Sequence, residues 1–197
     1  MLTQEQYDHF TQFLPTDINP SLKEAFRQNA TVIELQKGET LFNENPNNPK
    51  TYYILKGSCV RFIVTPEGNE RAIMFHTESF IPVIGGTHIN SENSWVNYSI
   101  IANETTSLIE FDTSIGFEWY KKDTAFALFI YQRNIEYLSI INQLQNHLIG
   151  LTSEEFFQWL MEKYSFIFQR FMSKDIASFM GVTPVWFSTI KAKLSKK

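Results

Sequence analysis

A single cysteine, Cys59, stands among 197 residues. One thiol excludes an internal disulfide, a cysteine zinc site and a cysteine-ligated iron–sulfur cluster. The four histidines, His9, His76, His88 and His147, are scattered, and no two have the i, i+4 spacing of a helical metal site. No apolar run approaches the ~20 residues needed to cross a bilayer. The first residues, Met-Leu-Thr-Gln-Glu-Gln, lack the basic-then-apolar order of a secretory signal. These absences lead us to expect a soluble cytoplasmic protein without a membrane partner. No nucleophile stands beside a base, and no carboxylates pair in a recognisable frame. Glu154-Glu155 is a helix-start pair favoured by the helix dipole. Gly85-Gly86 has no Gly-Lys-Ser/Thr after it and reads as a turn. No enzyme and no metal are expected.

What is plentiful is core material: 43% hydrophobic residues, 15% aromatic and 18 Phe. That suits one large domain, or a medium domain with a small appendage. Thr3-Gln-Glu-Gln6 has the form of a capping box opening a helix to about residue 14, and Asn19-Pro20 opens a second, ending near Asn29. From Thr31 to Asp112 short β-branched and aromatic segments alternate with turn formers. Strands are expected at 31–36, 40–42, 52–55, 59–65, 71–76, 81–84, 98–103 and 107–111, with Pro66-Glu67-Gly68-Asn69 turning a hairpin. About eight such strands argue for a β-roll or jelly roll.

From about Ser114 to Asn146 the period becomes helical. Phe126, Phe129, Ile130, Tyr137, Ile141, Leu144 and Leu148 form one stripe. Tyr131, Ile135, Leu138 and Asn142 form another beside it. So wide an apolar face needs cover on two sides. The roll can cover one; the other is covered by a second copy in a two-fold dimer, or by the same chain if the two stripes are one. Thr152-Ser153-Glu154-Glu155 then caps a helix to about Tyr164.

Residues 173–197 read as helix, tight turn, helix. Ala177 sits where two helices approach closely, and Gly181 where a positive φ is needed. Thr183 can cap the second helix and Pro184 fills its first position. Ile176, Phe179, Met180, Val182, Phe187, Ile190 and Leu194 make the apolar wedge. This is a helix-turn-helix pattern, whose second helix enters the major groove of DNA. Net charge agrees once it is divided: the last 25 residues carry +4, so the whole chain's −4 leaves −8 on the remainder. A small basic reader on an acidic body follows, although terminal lysines also serve mere solubility.

Helices, β-roll, long helix and terminal helix-turn-helix, in that order, resemble the Crp/Fnr family of transcription regulators over nearly the whole chain. The matching stretches are Lys37-Gly38-Glu39-Thr40-Leu41-Phe42, Tyr52-Tyr53-Ile54-Leu55-Lys56-Gly57, Gly68-Asn69-Glu70, and Ile176-Ala177 through Val182-Thr183-Pro184 with Ser188 and Ile190. The resemblance implies an α+β chain in three parts. These are a cyclic-nucleotide-binding-like β-roll sensor with N-terminal helices over 1–113, a long dimerisation helix over 114–148 and a helix-turn-helix over 149–197. It further implies a homodimer, with double-stranded DNA and RNA polymerase as partners.

Two departures bear on mechanism. Nucleotide-binding members begin a phosphate cassette with Phe-Gly-Glu and later carry Arg-Ser/Thr-Ala. Here Phe80-Ile81-Pro82-Val83-Ile84-Gly85-Gly86 and Trp95-Val96-Asn97-Tyr98-Ser99 hold neither that glutamate nor that arginine. A buried phosphate would lack its counter-charge, so cyclic AMP is not expected and another effector, or none, is. Arg71, Phe80, Gly85, Gly86, Asn97, Tyr98 and Ser99 are the effector-pocket candidates. Arg71 or Arg61 could bring a charge from another strand, a surface position being the plainer reading. Haem sensors of the family use histidine or cysteine, which singles out His76 and Cys59; a satisfied core role is the default for each. In the reader, Pro184, Val185 and Thr189 stand where members carry charged base-contacting residues, with Trp186 placed on the outward face. The DNA-contact candidates are Thr183, Val185, Trp186, Ser188, Thr189, Lys191 and Lys193. Thymine-methyl and shape readout is one possibility, with Ser188, Thr189, Lys191 and Lys193 on phosphates. A sensor or scaffold whose degenerate reader contacts protein is the alternative.

Overall fold

The computed structural model describes residues 2–12, 14–43, 50–65, 68–85 and 98–194. Helix α1 (Gln4–Thr11) starts at the expected capping box: Gln6 N donates to Thr3 Oγ1 and Thr3 N to Gln6 Oε1. Helix α2 (Pro20–Asn29) starts at Asn19, whose Oδ1 accepts from Ser21 N.

Eight antiparallel strands follow: β1 (Thr31–Leu35), β2 (Thr40–Asn43), β3 (Lys50–Lys56), β4 (Ser58–Val64), β5 (Glu70–Thr77), β6 (Val83–Gly85), β7 (Tyr98–Ala102) and β8 (Thr106–Asp112). They form two four-stranded sheets, β1-β8-β3-β6 and β2-β7-β4-β5. The period of two explains why β3 is apolar over four successive residues, Tyr52 to Leu55. Tyr52 and Ile54 point between the sheets, while Tyr53 and Leu55 point out toward the helices. Gly57 turns β3 into β4 at φ +108°, and a Cβ there would lie 2.6 Å from Thr106 Cα. No other residue fits that turn. Thr65 and Asn69 close the β4–β5 hairpin, Thr65 N donating to Asn69 O at 2.8 Å; Pro66 and Glu67 of the expected turn lie outside the described residues.

The expected rod over 114–148 is two helices, α3 (Thr113–Lys122) and α4 (Thr124–Gly150). Asp123 divides them. Its Oδ1 accepts from Phe126 N at 2.8 Å and its Oδ2 from Asn19 N at 2.9 Å, so it caps the second helix instead of continuing the first. Helix α5 (Ser153–Lys163) starts at the expected Thr152/Glu155 capping box. Helices α6 (Ser165–Arg170), α7 (Ser173–Met180) and α8 (Pro184–Leu194) complete the chain.

Three apolar clusters hold these parts. One, with Phe10, Phe26, Tyr53 and Trp119, lies between the outer face of β3 and β8 and helices α1 to α4. A second, with Tyr52, Ile54, Cys59, Tyr98 and Leu108, fills the space between the sheets. The third joins Val60, Ala72 and Phe75 of β4 and β5 to Phe156, Leu160, Phe171, Phe179, Phe187 and Ile190 of the C-terminal helices. The helix-turn-helix therefore shares its core with the roll.

Candidate nucleic-acid interface and effector region

Helix α7 ends at Gly181 in the left-handed region, φ +70°, and Val182 N turns back to Ala177 O at 3.0 Å. Ala177 is fully buried, as a close helix crossing demands. Thr183 Oγ1 accepts from Trp186 N at 3.2 Å and caps α8. Phe187 and Ile190 point inward, Phe187 lying against Phe157 and Phe168. Ile176, Phe179, Met180 and Val182 join them in that cluster; the side chain of Leu194 lies outside the described residues.

Val185, Ser188, Thr189 and Lys191 stay exposed, Val185 at 77%. Four candidates sit otherwise than expected. Trp186 is half-buried against the C-terminal core instead of facing outward, because its ring covers the apolar wedge. Lys193 Nζ bonds Glu154 on α5 at 2.8 and 3.1 Å, which commits it within the chain. Ser188 Oγ and Thr189 Oγ1 donate to Pro184 O and Val185 O one turn back, at 2.9 and 3.0 Å. A hydroxyl so placed keeps its lone pairs but not its proton. In that rotamer it is placed to accept from a base amino group.

The helix-turn-helix is seated on the roll by polar clamps. Arg170 Nη1 and Nη2 bond Glu78 at 2.9 and 2.8 Å, and Nε bonds Glu104 at 2.7 Å. Burial acts to raise the Glu78 carboxyl, but its hydrogen bonds with Arg170 outweigh that and hold it below the usual range. Asn103 Nδ2 donates to Arg170 O, and Ala72 N to Ser178 Oγ at 3.1 Å. Asp175, in the first turn of α7, is 5% exposed, and its Oδ2 has no hydrogen-bond partner among the described residues. Burial raises its carboxyl, with Glu70 adding to the rise, against Lys174 and Lys37.

The effector candidates are not gathered into one pocket. Arg71 is exposed, and its guanidinium lies against Gly181, where a Cβ would meet Nη2 at 2.9 Å. Phe80 packs on Tyr164 and Phe166. Tyr98 and Ser99 lie on β7, Tyr98 inside the roll beneath Arg61 at 4.1 Å, and Gly85 pairs with Thr51 at the sheet edge. Gly86 and Asn97 lie outside the described residues. Among the described residues, Tyr52, Ile54, Cys59, Tyr98 and Leu108 pack into the space between the sheets. Cys59 is buried there, its thiol pushed up to about 12 mainly by burial. His76 is buried as well, pushed down to about 4 by burial, with Nδ1 2.9 Å from Ile81 O. Both are neutral core groups. Sequence reasoning missed Ile81, a β-branched residue held at φ +48° beside that histidine.

On α4 the residues Leu128, Tyr131, Ile135, Leu138, Asn142 and Ile149 are exposed, Tyr131 by 59% and Leu138 by 54%. With Gln145 between the last two, their spacing alternates three and four, the a/d pattern of a coiled-coil seam. Of the other stripe, Phe126 and Leu144 are buried, Phe129, Ile130, Tyr137 and Leu148 pack against the apolar clusters, and Ile141 is half-buried.

No protein-family profile matches the chain, and no curated protein does. Solved structures do. FixK2 from Bradyrhizobium japonicum is 16% identical with a TM-score of 0.68, covering 85% of each chain. A Crp/Fnr-family protein from Eubacterium rectale is 15% identical with a TM-score of 0.70, over 93% of this chain and 88% of that one. The c-di-GMP-responsive global regulator CLP of Xanthomonas campestris is 12% identical with a TM-score of 0.67, over 90% and 92%. The chain has the fold of the Crp/Fnr regulators, with β-roll, long helix and terminal helix-turn-helix all present.

Proposed function

We propose that this protein is a homodimeric, DNA-binding transcription regulator, with α8 as the recognition helix and an effector other than cyclic AMP. One observation carries the reading. A helix-turn-helix with a left-handed glycine, a threonine cap and an outward Val185/Ser188/Thr189 face follows a helix bearing an exposed a/d stripe. Such a stripe buries its apolar area by pairing with its own copy, and a two-fold pair presents two readers to half-sites one helical turn apart. The three parts then act as sensor, dimer rod and reader. The absence of a glutamate after Phe80 supports an effector other than cyclic AMP.

The α8 face lacks arginine, so bidentate guanine contacts, worth about 1–3 kcal/mol each, are missing. Val185 suits a thymine methyl, and Ser188 and Thr189 suit amino donors of adenine or cytosine. Lys191 supplies phosphate contact, while Lys193 and Glu154 neutralise one another. Affinity is therefore modest and AT-leaning, and it falls with salt. Duplex DNA titrated at several salt concentrations should bind at low ionic strength, and Lys191→Glu should weaken every sequence alike while lowering the salt slope by about 2, one for each chain of the dimer. No binding at low salt, or an unchanged slope in the variant, would refute the proposal.

A further inference from the structure

A cavity of about 960 Å³ lies between α1, α3 and α4, the outer face of β3 and β8, and the β5–β6 connection. That is the upper end of the ~300–1,000 Å³ range of small-molecule sites. It is separate from the space between the sheets: Tyr52, Arg61, Tyr98 and Ser99 form no part of its wall. Val83, Phe117 and Ile130 represent a wall that is overwhelmingly apolar, and Ile81, with its strained backbone, belongs to it. Backbone strain of this kind in a β-branched residue gathers at ligand clamps.

The polar groups of the wall include the phenols of Tyr53 and Tyr137 and, on α4, the guanidinium of Arg133 with Asn134 and Glu136 beside it. Burial raises both phenols, Tyr53 to about 12 with Tyr137 adding to the rise, and Arg133 acts on both in the opposite sense. They remain protonated donors. Arg133 is 42% exposed, at the mouth, and pairs with Glu136, itself 56% exposed, one turn along α4. A guanidinium has five donors in a planar fork, so a second carboxylate can share it. Glu78, also in the wall, is occupied by Arg170. An ammonium ligand would meet the guanidinium as a like charge.

We propose that this cavity binds a small-molecule monocarboxylate with a long apolar body, the body between α4 and the sheet and the carboxylate at Arg133, Tyr53 and Tyr137. Helix α4 carries the cavity on one face and the a/d stripe on another. Occupancy therefore bears on the helix that the proposed function makes the dimer seam. That consequence rests on the proposed function; binding itself does not.

The experiment is calorimetric titration of the full-length protein with dodecanoate and, as the uncharged control, dodecanol, both below micellar concentration and without DNA. One dodecanoate should bind per chain, about tenfold tighter than dodecanol, as one charge-assisted contact requires. Arg133→Gln should abolish that preference and leave dodecanol binding unchanged. Val83→Trp, or Ile140→Phe should the first not fold by circular dichroism, should fill the cavity and weaken both ligands. Absence of binding, equal affinity of the unmodified protein for the two ligands, or full binding in a folded cavity-filled variant would overturn the proposal. Because no duplex is present, failure of DNA binding and failure of ligand binding are read separately.

Discussion

Asp175 places a carboxylate where the reader meets the roll, 5% exposed and with one oxygen unpartnered among the described residues. Two effects oppose one another. A carboxylate in the first turn of a helix gains about 0.3–1 kcal/mol from the dipole, whereas a buried group left unsatisfied costs about 1–3 kcal/mol. Burial wins, in keeping with the raised carboxyl. The folded protein then binds this proton more tightly than the unfolded chain. The penalty is absent at pH values below the ordinary 3.8, sets in as pH rises through it and is complete above the folded value. Asp175→Asn should therefore stabilise the protein at neutral pH by about 1 kcal/mol, a melting shift of ~2–4 °C, and the gain should vanish in acid. Thermal melts of the two proteins from pH 3 to 8 check this; equal melting at pH 7 contradicts it. At this scale sequence was legible where the interaction is local. Thr3, Thr152 and Thr183 reach backbone three residues away and cap where expected. The Lys193–Glu154 pair spans 39 positions and leaves no local signal.

Among elements, the weight falls on α6 and its arginine. Arg170 holds Glu78 on the β5–β6 connection and Glu104 between β7 and β8, and so ties the helices before the reader to two separate turns of the roll. Its side chain is 25% exposed, against 37% and 41% for the two carboxylates, so solvent screens the clamp in part. Arg170→Ala should cost about 2 kcal/mol, given ~1.5–3 kcal/mol for bonds to charged groups. Hydrogen exchange should rise in α7 and α8 while the β1-β8-β3-β6 sheet keeps its protection. Uniform exchange across both, or none, contradicts the clamp. The strands were readable because β-branched residues alternate between turn formers. Helix α6 was not: it is one short turn-and-a-half without a side-chain cap, hidden in the apolar run Phe166-Ile167-Phe168. Asp123 also escaped notice, because a capping aspartate inside a long helical pattern looks like another polar-face residue.

The molecule as a whole pairs an acidic roll with a small lysine-bearing reader through α4. Periodicity announced that α4 needs cover on two sides, and the structure leaves one of them open. The large cavity stayed illegible in sequence, since its walls come from segments between residues 9 and 140 that only the fold brings together. Sedimentation equilibrium of the protein, alone and with a two-fold-symmetric duplex, tests the central claim most directly. The account predicts a dimer in solution, two chains on each duplex, and a folded monomer without duplex binding on Ile135→Asp. A monomer at micromolar concentration, or one chain seated on each duplex, would contradict it.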